Sequence, residues 1–250
     1  MSQQNTPRRR TAEEAFGEDY PLLQAAPRFE HNPHHDIGVT HFTESPSIEI
    51  IVNGGTSFYI PAPFLSASHG FTAAIASQTR GTPITHFGTD PVHFRTYAAF
   101  QCQKVMVLPF VDEDDEAGLN TFWSHWAACY RLGKMIEDAR FRNALLDLAV
   151  DKMIASNALP ECLFKTIYKN STESSRHRMV ACFLALATWT RDEIEYRVEG
   201  WGADAEWDVD FGRDLLRGMI SALRKGGLKR MSVGRCLGRI DFEYHDEEDM

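Results

Sequence analysis

The sequence predicts an α+β fold in which a small sheet is capped by helices and followed by a C-terminal helical extension. Three patterns predict it: apolar alternation on both sides of an Asn-Gly step near residue 53, an Asp-Pro helix start at Asp90-Pro91, and helical periodicity in the rest of the chain beyond Leu119.

Residues 1–45 are rich in Gln, Pro, Arg, Glu and His with no sustained period, and we read them as a disordered N-terminal arm. Order starts in "SIEIIVNGGTSFYIP", where Ile48, Ile50 and Val52 share one face of an extended segment. Asn53-Gly54 suits a two-residue hairpin turn with positive φ at both positions, and Phe58 and Ile60 resume the alternation. Pro61 and Pro63 end the second strand, and Phe64, Leu65, Ala67, Phe71 and Ala74 are spaced for two short helices. A short extended piece, Ile84 to Phe87, precedes Asp90 as N-cap and Pro91 at the first helical position, predicting a helix to about Gln101.

An acidic loop, "DEDDE" at 112–116, leads into Leu119 to Ile136, whose wide apolar face predicts burial on two sides. Asp138 reads as the N-cap of the next helix. Further helices follow: Glu161 to Tyr168, one capped by Thr172, and one capped by Asp210 and stopped by Gly226-Gly227. The predicted divisions are therefore 1–45 arm, 46–155 domain, 156–226 helical extension and 227–250 charged tail.

Hydrophobic content of 43% and charged content of 24% are those of a soluble globular protein. A net charge of -9 opposes a polyanionic partner, so nucleic acid is not expected. No apolar run has the length of a signal peptide or a membrane span, which predicts a soluble protein of the cytoplasm and/or nucleus. Cys102, Cys129, Cys162, Cys182 and Cys236 are odd in number and far apart, which suits reduced thiols rather than a disulfide frame.

The hairpin "IEIIVNGGTSFYI", the turn and helix "FLSASHGFTAAI", the capped helix "DPVHFRTYAAFQCQKV" and the helical pair "YRLGKMIEDARFRNALLDLAVDKM" occur in an order and spacing that resembles the BTB/POZ family. The likeness covers about Ile48 to Met153 and is strongest to single-domain fungal BTB proteins, whose helical extension "IYKNSTESSRHRMVACFLALAT" also resembles. It implies a protein–protein interaction module, a non-catalytic scaffold or adaptor. Pro61-Ala62 replaces a His-Lys pair, His69 a Ser and Lys134 an Asp. The family's charged pocket and dimer surface therefore do not carry over.

No catalytic motif or phosphate loop is present, and neither an enzyme nor a cofactor is expected. His31, His34, His35 and His41, and Cys236 with His245, lack the fixed frame of a metal site, so we read them as solvated. "DEDDE" reads as a hydrated loop, "KRMS" at 229–232 as tail, and Asn170-Ser171-Thr172 as helix capping. The expected interaction surface is a set of exposed aromatic side chains on the capped helix and the helix after the acidic loop: Phe94, Tyr97, Phe100 and Trp123. Expected partners are other proteins, by way of a cullin scaffold or self-association. The two alternatives to a general scaffold are a substrate adaptor of a cullin-type ubiquitin ligase and a homodimeric transcription-associated BTB protein.

Overall fold

A computed structural model describes residues 46–77, 79, 81–86, 88–104, 106, 108, 116–156, 159–190, 192 and 206–224. They fall within one compact unit of the chain. The predicted arm, the acidic loop's first four residues, Gly226-Gly227 and the charged tail lie outside these residues, as do the histidines of the arm, Cys236 and His245.

The architecture is mixed α+β, mostly helical with a three-stranded sheet. Strand β1 (Ser47–Val52) pairs antiparallel with β2 (Thr56–Pro61) and parallel with β3 (Ile84–His86), giving the order β2-β1-β3. Ile48 faces Ile60 and Ile50 faces Phe58 across the hairpin, while Ile50 pairs with Ile84 on the other side. Ile50, Val52 and Ile60 are buried, as the alternation requires.

The turn differs from expectation. Val52 pairs with Thr56, so three residues, Asn53–Gly55, form a 3-10 turn, and the left-handed position is Gly55 with φ +80°. A three-residue hairpin needs glycine only at its last position, after a right-handed turn, and Asn53 keeps an ordinary φ.

A 3-10 turn at Ala62–Leu65 leads to α1 (His69–Ser77), then β3 and α2 (Pro91–Gln103). Asp90 caps α2 as predicted, its carboxylate accepting from the Val92 amide at 2.8 Å, and the helix closes on a left-handed Lys104. The helical pair is α3 (Glu116–Met135) and α4 (Ala139–Ser156), with Asp138 capping α4 through the Phe141 amide at 2.9 Å. Then come α5 (Glu161–Lys169), α6 (Arg176–Thr188) and α7 (Glu206–Arg224).

Two predicted caps are corrected. Ser175, not Thr172, caps α6, accepting from the His177 amide at 3.2 Å. Asp210 lies inside α7, which starts earlier at Glu206, and its carboxylate serves Arg178 and Arg213 instead. In both places Ser, Thr or Asp recurs within a few residues, and each of these side chains can accept at a helix start.

One aromatic group, Phe58, Phe71, Phe94, Tyr97 and Phe141, joins the sheet to α1, α2 and α4. A second, Phe122, Trp123, Trp126 and Tyr130, runs along α3. A third, Phe164, Tyr168, Trp189 and Phe211, holds α5, α6 and α7 together. Cys129 and Cys182 are buried free thiols, and Cys102 and Cys162 are half-buried free thiols. No helix among the described residues is long and apolar enough to cross a membrane.

Candidate interaction groove

The four residues expected at the surface do not form one. Phe94 and Tyr97 are fully buried and Trp123 is 7% exposed, edge-on to Phe122 and Trp126. Phe100 is half-buried against Phe141, with the Lys104 ammonium 5.6 Å from its ring centre. The physical reason is the position of α2, which packs on the hairpin with one side and on α3 with another. Its aromatic positions are spent on these contacts, and each buried ring contributes about 1.5–3 kcal/mol to the core. In its first turns α2 leaves Val92 and Arg95 exposed and His93 half-buried.

Beside those residues lies an open groove of about 520 Å³, between the start of α2 and the end of α3. One wall is Asp90 and His93. The other is Arg131, Lys134 and Met135, which helical spacing places together on α3. Asn170, just beyond α5, also lines it. Arg131 and Lys134 are exposed and have no salt-bridge partner among the described residues, and Met135 is 49% exposed. The groove thus sets two unpaired cations and a flexible apolar side chain opposite one carboxylate.

Behind the α2 wall the His93 and His125 rings meet at 4.7 Å, and His125 Nε2 lies 2.9 Å from the Thr96 hydroxyl. Burial holds both imidazoles below their usual pKa. For His93 the Asp90 carboxylate partly opposes this and Arg131 adds to it, while for His125 the neighbouring His93 adds to it. The pair is therefore neutral at pH 7. Cys129, behind them, has its thiol pushed up to about 12 by burial and sits 4.0 Å from the His93 carbonyl, so it is no nucleophile at neutral pH. The groove offers charge and shape for a bound chain.

Two further polar clusters are internal. The Tyr130 hydroxyl lies 2.5 Å from His177 Nδ1, and His177 Nε2 lies 2.9 Å from Asn143 Oδ1, linking α3, α6 and α4. All three residues are buried, so this Tyr-His-Asn chain joins helices inside the core. Arg178, 6% exposed, donates to the Tyr168 and Ser171 carbonyls at 2.7 Å each, to the Ser171 hydroxyl at 3.1 Å and to Asp210 at 3.2 Å. It fixes the α5–α6 turn to α7.

Sequence reasoning missed Arg131, Met135 and the histidine pair, and noted Lys134 only as a departure. The available signal was a pair of cations three residues apart near the end of a helix with a wide apolar face. Compared with protein families, curated proteins and solved structures, the chain matches none, so its functional reading rests on these side chains.

Proposed function

We propose that the chain is a BTB/POZ-type protein-recognition module, a non-catalytic scaffold or adaptor that works in the cytoplasm and/or nucleus. The observation that carries this reading is the groove at the α2–α3 edge, where Arg131 and Lys134 have no ion-pair partner among the described residues and stand beside half-exposed Met135. Such a surface suits an acidic stretch of a partner protein, held by charge at the rim and by the apolar lip. The order of hairpin, short helices, third strand, capped helix and helical pair is also that of the family the sequence resembles.

A substrate adaptor of a cullin-type ligase is the second reading, because that resemblance assigns cullin binding to the same helix region. The transcription-associated dimer has less support. Pro61, Ala62 and His69 alter the surface it would use, and the outer side of the hairpin carries a polar cluster. There Ser57 and Tyr59 donate to Glu49 at 2.8 and 3.1 Å.

Affinity purification from native extract, with wild type and R131E/K134E side by side, tests the proposal. A partner should be retained by wild type and lost about tenfold or more in the variant, with an unchanged thermal midpoint. Equal retention by both chains would overturn the groove as the binding surface. Titration with a recombinant cullin N-terminal domain separates the two readings, and no binding at about 50 μM would remove the cullin reading.

A further inference from the structure

Helix α7 has two apolar faces, and the core uses one of them. Phe211 and Leu215 are 1% exposed, and Gly218 lies against Leu186 and Cys182 of α6. The other face is a stripe of Val209, Leu216 and Ile220, exposed by 72%, 56% and 51%. Their spacings of seven and four residues place them within about 20° of one line along the helix. This is the spacing of a coiled-coil seam.

Arg213 falls in the same seam, but its guanidinium is drawn aside to Glu173 at 2.6 Å and Asp210 at 2.9 Å. The apolar stripe is left continuous on either side of its stem, which can itself lie on apolar surface.

We propose that this stripe pairs with the same stripe of a second copy of the chain, α7 against α7, antiparallel about a two-fold axis. Self-pairing follows because a two-fold interface needs one patch complementary to itself. Direction follows from charge. Asp210 and Arg217 flank the stripe on the same side, seven residues apart. In an antiparallel pair, Asp210 of each copy, already beside Arg178 and Arg213 but still 34% exposed, approaches Arg217 of the other, so this added contact is made twice. A parallel pair would instead set the opposite flanks side by side, where Gly212 and Met219 bring no charge. Arg217 can reach across: it is 70% exposed, and among the described residues its ion pair is a 3.4 Å contact to Asp214. This surface is separate from the groove and from the first strand and helix, and it does not depend on the proposed function.

The test is sedimentation of the full chain between about 1 and 100 μM, where a concentration-dependent dimer is expected. L216E/I220E should weaken it by at least about a hundredfold, and V209E, at the other end of the stripe, should weaken it too. Both variants should keep the wild-type circular dichroism spectrum, and R131E/K134E should dimerise normally. Direction is read by oxidising a mixture of V209C and I220C chains, which should cross-link to each other while V209C alone does not. A monomer throughout, a dimer indifferent to L216E/I220E and V209E, or cross-linking of V209C to itself would each overturn the proposal.

Discussion

Gly70 shows how much one missing side chain decides. The first turn of α1 rests on the link between α3 and α4: the Gly70 amide donates to the Ile136 carbonyl at 3.0 Å, and the His69 amide donates to the Glu137 carbonyl at 3.3 Å. The Ser68 hydroxyl donates to the same Ile136 carbonyl at 2.5 Å. A Cβ on Gly70 would sit 2.8 Å from that carbonyl oxygen, against backbone rather than a movable side chain. Gly70→Ala should therefore cost about 1–3 kcal/mol, read as a lower urea midpoint at unchanged slope. Loss of less than about 0.5 kcal/mol would mean that the contact is looser than drawn. The sequence does not reveal this site, since the glycine sits inside a helix and the atom it avoids lies 66 residues away. The neighbouring His69 is exposed, so its side chain does not crowd this contact. Asp138 was half legible: its role as a cap could be read from spacing, but not its bonds from Tyr97 at 3.2 Å and Gln101 at 2.7 Å.

Among the elements, the α2–α3 seam is the one that answers to pH. His93 and His125 both have pKa values held below the ordinary 6.5 by burial. The unfolded chain therefore takes up protons first, and stability falls as pH drops from about 6.5 through the lower folded values. Burial raises the carboxyl pKa of Asp138, and with Asp147 nearby that of Asp151. Those two groups work in the opposite sense, favouring the fold on acidification. The histidine share is isolated by comparison with H93Q/H125Q. Wild type should lose more thermal midpoint than this variant between about pH 7 and 5.5, and equal losses would assign the dependence elsewhere. Helix existence was legible throughout this region because caps and periodicity agree. Which face of α2 was spent was not, because an apolar stripe marks a buried face without saying whether a neighbouring helix or a partner covers it.

At the scale of the molecule, the described helices after Ser156 are bound to those before it by buried contacts. The Tyr130–His177–Asn143 chain crosses that point, and separating its members would leave polar groups stranded in the core. Unfolding should thus be a single transition. Tryptophan fluorescence, sampling Trp126 on α3 and Trp189 after α6, should give the same midpoint as far-UV circular dichroism, and a separate early phase from W189F difference spectra would contradict this. These tertiary pairs span up to 47 residues of chain. A one-dimensional pattern could show that α3 is apolar on two sides, but not that α6 brings a histidine to one of them.

The three-stranded sheet has a bearing on how this molecule can meet others. Its outer strands are β2, which ends on Pro61, and β3, only three residues long. A proline has no amide proton to lend, and so short an edge templates little. Among the described residues an incoming strand therefore finds little ladder at β3, and at β2 only the stretch from Thr56 to Ile60 that Pro61 cuts short.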